Sequence, residues 1–312
     1  MDYIIGVDLG GTQLRAVLAN RAGEILCEQR VLTLADEGPA AVIDRIVGII
    51  AYVRAELPAD GTLLGVGIGS PGPLDPETGV VIKAPNMVGW DNIPLRDLLQ
   101  DRTGLSVELG NDANAAALAE WYFGGGVGRR HMVYVTVSTG IGSGVIVDGH
   151  LLLGRRGVGG ELGHMLFDPT TRQTWEQMAS GTGLGRAAAQ AMLANPESLL
   201  HTLATAETVT AAHVSNAAAQ GDALAMRLME HEAELLGIGF ATLLHCFSPE
   251  IVLVGGSVIT ENPQLLDGVR RVARECVIAD VYREVPIELA TLGSQVGTLG
   301  AVALVLDTRN TP

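Results

Sequence analysis

Residues 4–26, IIGVDLGGTQLRAVLANRAGEIL, read as an apolar strand, a turn of small residues, a second apolar strand and a polar turn. Residues 133–154, VYVTVSTGIGSGVIVDGHLLLG, repeat that order at a gapless offset of 128, with Val7 matching Val135, Gly11 matching Thr139, Val17 matching Val145 and Asn20 matching Asp148. A duplicated hairpin with a bare Gly, Ser and Thr turn predicts two similar lobes facing one ligand. Such turns expose backbone N–H groups with no side chain in the way, which suits phosphate oxygens.

The chain has 312 residues, enough for two lobes of ordinary domain size. A formal charge of −15 and a pI near 4.8 argue against nucleic acid or an anionic membrane as the main partner. A phosphate site on such a surface needs local dipoles and Mg²⁺. Lys83 is the single lysine and lies in VIKAPN, so no GK[ST] triplet exists and a Walker A loop is excluded. Cys27, Cys246 and Cys276 form no CxxC pair and read as three buried or idle thiols. With no basic leader and no apolar run of membrane length, the expectation is a soluble cytoplasmic protein.

Along the chain, residues 1–35 read as the first hairpin and a third strand, 39–56 as an amphipathic helix, and LLGVGIGS as a strand. A polar, proline-bearing stretch runs from Pro71 to Asn92, followed by a short helix at 94–103, the strand LSVELG and the helix DANAAALAEWYFG. Past the repeated hairpin come a glycine-rich loop, RRGVGGELGHM, and a helical region from about Ser180 to Cys246. The strands EIVLVGGSV and VPIELATLG and a closing helix, VGTLGAVALVL, complete the chain.

Asp8 ends the first strand and is followed by Gly10, Gly11 and Thr12. A carboxylate so placed can face Mg²⁺ and its waters while the turn amides face phosphate, and Ser138, Thr139, Gly140 and Gly142 repeat the pattern. Gly67-x-Gly69-x-x-Gly72 matches the dinucleotide fingerprint in letters only, since Pro71 and Pro73 stand where a helix should begin. Asn111-Asp112 lies where a strand enters a helix. A cap role explains one of the two, and a carboxylate at a strand's C-terminal end is where α/β lobes bind ligands and could take an alcohol proton. Glu161, His164 and Glu176, in GGELGHM and WEQMASG, could converge on a polyhydroxylated ligand; the competing reading is a solvated loop with an incidental histidine.

Six motifs in order, GVDLGGTQLR, APNMVGW, GNDANAAALAE, VSTGIGSG, GELGHM and LVGGSV, give a chain that resembles the ROK family of bacterial sugar kinases over nearly its whole length, and its glucokinase-like members most closely. The resemblance implies an α/β, actin-like (RNase H-like) two-lobed ATPase fold with a duplicated core and an interlobe cleft. Residues 1–115 plus 296–312 would form a discontinuous small lobe, with the closing helix crossing back, and 116–295 the large lobe. It implies ATP-dependent phosphorylation of a hexose 6-hydroxyl, with glucose favoured and mannose, fructose or an N-acetylhexosamine as alternatives. Asp112 would be the catalytic base. Asn86, Asn111, Glu161, His164 and Glu176 would hold sugar hydroxyls. Gly10, Gly11, Thr12, Thr139 and Gly140 would cradle phosphates, Gly255 and Gly256 would lie against the adenosine, and Asp8 would act through Mg²⁺. A cytoplasmic homodimer working on small-molecule sugar and nucleotide is the corresponding expectation.

One departure stands out. Family members usually carry a CxCGxxGC zinc loop between the histidine of GHM and the glutamate of WEQ, whereas here the interval is MLFDPTTRQTW. With the thiolates gone, no structural zinc is expected, and the loop must be held by packing around Phe167, Pro169 and Trp175. A sugar-responsive transcription regulator is the competing class, disfavoured by the seven residues ahead of Asp8 and by the acidic charge. A non-catalytic sugar-binding protein is the other.

Overall fold

The computed structural model describes residues 1–84 and 86–310. Pro85 of the APNMVGW motif and residues 311 and 312 of the closing segment lie outside the described residues. In chain order the elements are β1 (Asp2–Leu9), β2 (Gln13–Asn20), β3 (Ile25–Leu32), α1 (Gly38–Arg54), β4 (Thr62–Ser70), β5 (Leu74–Asp75), β6 (Val80–Lys83), β7 (Asp91–Ile93), α2 (Leu95–Thr103), β8 (Val107–Asn111) and α3 (Asp112–Phe123). They continue with β9 (Met132–Val137), β10 (Ile141–Val147), β11 (His150–Leu151), α4 (Trp175–Ala179), α5 (Gly181–Met192), α6 (Leu200–Leu203), α7 (Ala211–Ala219) and α8 (Ala223–Phe247). The last are β12 (Ile251–Gly255), α9 (Ser257–Thr260), α10 (Leu265–Cys276), α11 (Asp280–Arg283), β13 (Ile287–Leu289) and α12 (Val296–Asn310).

Two compact units result: Met1–Gly128 with His150–Gly160 and Thr291–Pro312, and Arg129–Gly149 with Glu161–Ala290. Helix α3 lies entirely in the first unit, past the expected break at residue 115, because its alanine face packs on α12, where a methyl group on Gly300 would land 2.5 Å from the Ala115 backbone. Residues 150–160 also belong to the first unit, an excursion the sequence did not signal.

The first unit is built on a sheet ordered β3-β2-β1-β4-β8. Strand β1 pairs antiparallel with β2 and parallel with β4, and β4 runs parallel to β8. Central strands are apolar on both faces because helices cover both. On one face α1 packs Val42, Ile46 and Ile50 against Ile5, Val7 and Ile68. On the other α12 crosses three strands with residues one turn apart: methyl groups added to Gly6, Gly67 and Gly110 would strike the Thr298 carbonyl, the Ala301 carbonyl and the Leu304 side chain. Strand glycines therefore let a helix backbone lie directly on the sheet. Gly67 is one of these, which gives the false dinucleotide pattern a packing cause. Between Leu74 and Ile93, largely within the polar, proline-bearing stretch, three short strands form a small sheet ordered β5-β6-β7, too short to show alternation.

Glu120, wholly buried on α3, is fully used. Its Oε1 accepts from Thr291 N–H at 2.8 Å and Leu292 N–H at 2.9 Å, and its Oε2 from Thr291 Oγ1 at 2.9 Å and Gly125 N–H at 3.0 Å. Four donors compensate the burial of this carboxylate.

The second unit repeats the plan with β10-β9-β12-β13, β9 antiparallel to β10 and parallel to β12. The repeat is not gapless. Val7 faces Ala16 but Val135 faces Ser143, so the second turn is one residue shorter than the first. Its core centres on Trp175, which meets Phe240 edge-on at 5.7 Å, sits where Gly239 leaves room, and donates from Nε1 to the Leu235 carbonyl at 3.2 Å. Among the described residues no helix is long and apolar enough to cross a membrane. Cys27 is half-buried, whereas Cys246 and Cys276 are exposed.

Candidate active site

In the first unit Asp8, Gly69 and Gly110 are register neighbours, as are Ser70 and Asn111, so the candidates Asp8 and Asn111 both lie at the carboxyl ends of parallel strands. Open α/β sheets bind ligands along this edge. Asn111 caps α3: its Oδ1 accepts from Ala113 N–H at 2.9 Å and Asn114 N–H at 3.3 Å. The cap spends the amide oxygen and leaves Nδ2 to donate, on the side where glycine at position 72 keeps space open, since a methyl there would lie 3.0 Å from Nδ2. Asp112 is then the first helical residue and exposed, its Oδ1 accepting from Ala113 N–H at 2.8 Å. The pair thus divides into a cap and a carboxylate presented at a helix N-terminus.

The first turn brings Gly11 to Asn86, whose Cβ would lie 3.6 Å from a methyl on Gly11. Gly10 N–H donates to the Gln13 carbonyl at 3.0 Å and closes the turn, so it is not among the amides a ligand could use. Gly11 and Thr12 have no acceptor for their N–H groups among the described residues. Asp8 is gripped by a residue the sequence reading passed over: Arg15 donates from Nε at 3.1 Å and Nη2 at 2.5 Å to Oδ2, and from Nη1 to the Ser294 carbonyl at 2.7 Å. The signal was present in GGTQLR, since an arginine two residues into β2 faces Asp8 across the hairpin. Gly297, at the start of α12, is required there because a side chain would collide with the Asp8 carboxylate.

In the second unit the shortened turn is tied on both sides. Gly181 N–H donates to the Ser138 carbonyl at 2.8 Å, Ser257 N–H to Ser138 Oγ at 3.0 Å, and Thr182 Oγ1 to the Thr139 carbonyl at 2.8 Å. Thr139 and Gly140 keep N–H groups without an acceptor among the described residues, matching Gly11 and Thr12. Glu176 stands at the start of α4, which a capping box between Thr174 and Gln177 begins, and its Oε2 accepts from Ile141 N–H at 2.8 Å. A methyl on Gly140 would land on that oxygen. The glycine of the second turn and Glu176 are therefore one structural unit. Glu161 precedes and His164 ends a 3₁₀ turn (Leu162–His164); both are exposed, and the turn is anchored by Leu162 N–H donating to Ser143 Oγ at 3.2 Å. Gly255 and Gly256 have a packing cause of their own: Gly256 sits at φ 90 with no room for a methyl against the Val137 backbone, and one on Gly255 would lie 2.8 Å from the Tyr134 hydroxyl.

The interval 165–174 doubles back through a Leu166–Thr174 bridge, with Phe167 stacked on Trp175 at 6.5 Å. Pro169, expected to pack there, is exposed, and Asp168 takes over by accepting from Thr170 N–H at 2.7 Å and Thr171 Oγ1 at 2.6 Å. The Thr171 hydroxyl and the Thr170 amide hold the Asp168 carboxyl below its ordinary range.

The first unit thus carries a bare turn with open amides and a carboxylate at a helix start, and the second a bare turn with open amides beside an acid–histidine set. The sequence profile of the ROK family matches residues 4–308, and the chain belongs to that family. It is 37% identical to the glucokinase of Thermotoga maritima across 97% of both chains. It is 35% identical to a solved ROK family glucokinase from Streptomyces griseus in complex with glucose and AMPPNP, with a TM-score of 0.80 over 97% of this chain and 98% of that one. More distant relatives include the xylose repressor of Bacillus subtilis, 28% identical over 98% of this chain and 77% of the repressor.

Proposed function

We propose that this chain transfers the γ-phosphoryl group of ATP to the 6-hydroxyl of a hexose, with glucose the preferred acceptor. Family membership together with glucokinase relatives at up to 37% identity carries the reading. The geometry supplies its chemistry. Asp112, exposed at the first turn of α3, takes the sugar's hydroxyl proton as the phosphoryl group moves, a contribution of roughly 10²–10⁴-fold for a positioned base. Asn111 donates to a sugar oxygen from Nδ2, while Asn86, Glu161, His164 and Glu176 accept from or donate to the remaining hydroxyls. The N–H groups of Gly11, Thr12, Thr139 and Gly140 face phosphate oxygens, and Gly255 and Gly256 border the adenosine.

Mg²⁺ fits the first turn. Arg15 occupies Oδ2 of Asp8, so Oδ1 is left to a hydrated cation, which when bound neutralises phosphate charge. A cytoplasmic homodimer belongs to the same reading, and light scattering measures the assembly. A coupled assay with MgATP and a panel of hexoses tests the activity: glucose is expected to give the highest kcat/KM. Asp112→Asn is expected to leave KM for glucose within a few-fold and lower kcat by at least about 10²-fold. Near-normal turnover in that variant would remove Asp112 as the base, and no product from any hexose would remove the kinase reading.

A further inference from the structure

The second unit contains a cavity of about 480 Å³ that shares no residue with Asp112, Glu161, His164, Glu176 or either glycine turn. Gln173, Gln177 and Gln190 stand on its walls, and Met178, Leu184 and Leu228 supply an apolar surface. Glu232, projecting from α8, is, among the described residues, the one carboxyl group that lines it; it is 2% exposed, and its Oε1 has no hydrogen-bond partner among them. Buried polar atoms are nearly always satisfied, so an orphan acceptor beside an open space points to a missing donor.

The lining identifies the donor's chemistry. Amide side chains both donate and accept, which matches hydroxyl groups better than a phosphate or a bare cation. Arg186 and His231 on the same walls disfavour a cationic occupant. Leucine and methionine side chains suit the C–H face of a pyranose, and the volume lies within the ordinary range of roughly 300–1,000 Å³ for small-molecule sites. We propose that this cavity is a second carbohydrate site, separate from the catalytic one, in which a ligand hydroxyl donates to Glu232 and others exchange hydrogen bonds with Gln173, Gln177 and Gln190. The interval that lines it at Gln173 is the shortened one, so an occupant also holds that segment in place.

The experiment is a titration of protein carrying ¹³C-methyl methionine with glucose and with maltose, read at the Met178 methyl. Saturable displacement of that signal, weakened by about tenfold in both Glu232→Leu and the exposed Gln190→Ala, is the expected result, as the loss of one hydrogen bond to the bound ligand predicts. KM for glucose in the coupled assay should be unchanged in Gln190→Ala. No saturable displacement with either sugar overturns the proposal. Displacement of equal affinity in wild type and both variants also overturns it, since it then reports the catalytic site. The titration needs no turnover, so a chain that phosphorylated no sugar would still test it.

Discussion

At the residue scale, the site depends on positions where one methyl group decides. Gly140 lies against the Glu176 carboxylate that accepts from Ile141 N–H, and Gly140→Ala forces that carboxylate away. The variant is expected to raise KM for the sugar by about tenfold or more, with folding retained, because a hydrogen-bonded acceptor is displaced while the core is untouched. Steady-state kinetics at varied sugar check this, and an unchanged KM would show that Glu176 does not hold the substrate. Gly48 is the contrast. It sits exposed within α1, where an added methyl group would meet nothing within 4 Å, so Gly48→Ala is expected to stabilise the protein by about 0.5–1 kcal/mol, read by denaturant unfolding. Both positions are glycine in the chain, and only the neighbours separate them. The roles of Asn111 and Asp112 were legible as a pair from the strand-to-helix junction, but which of them caps the helix required the distances.

At the element scale, the decisive contact is α12 lying on β1, β4 and β8. Gly67→Ala would place a methyl group on the Ala301 carbonyl, and neither backbone can yield without lifting the helix from the sheet. A loss of about 1–3 kcal/mol is expected, the cost of overpacking a close-packed interior, accompanied by reduced activity because the start of α12 also abuts Asp8 at Gly297. Thermal melting and turnover of the one variant check both. The amphipathic α1, the apolar strands and the closing helix were readable from periodicity. The three short strands between Leu74 and Ile93 were not, since two to four residues carry no period, and their pairing depends on partners distant in sequence.

At the scale of the whole molecule, Glu232 couples stability to pH. Burial raises its folded-state pKa to about 8 from an ordinary 4.5. Below about pH 4.5 both folded and unfolded chains hold the proton and the group has no effect. Between about 4.5 and 8 the unfolded chain releases the proton while the folded one retains it, so stability falls as pH rises, by an amount of the order of several kcal/mol over the window. Glu232→Gln removes the titration. Melting temperatures of the two proteins are expected to diverge in the variant's favour as pH is raised through that window, and parallel curves would show that the carboxyl is relieved in solution. With a net charge of −15, general repulsion contributes a similar slope to both proteins, so the difference between them isolates the one group.

The chain alone determined the duplicated strand-turn-strand plan, the two glycine turns, the candidate residues around Asp112 and Glu176, and the family, because each is written in contiguous residues whose local chemistry has few other uses. Tertiary structure decided the rest. It turned the Gly10 amide inward, placed Arg15 on Asp8, tied Gly140 to Glu176, kept α3 whole within the first unit, shortened the second turn by one residue, and left Glu232 unpartnered beside a cavity. These outcomes arise from contacts between residues far apart in sequence, where a close approach of a few tenths of an ångström selects among side chains that local pattern treats as equivalent.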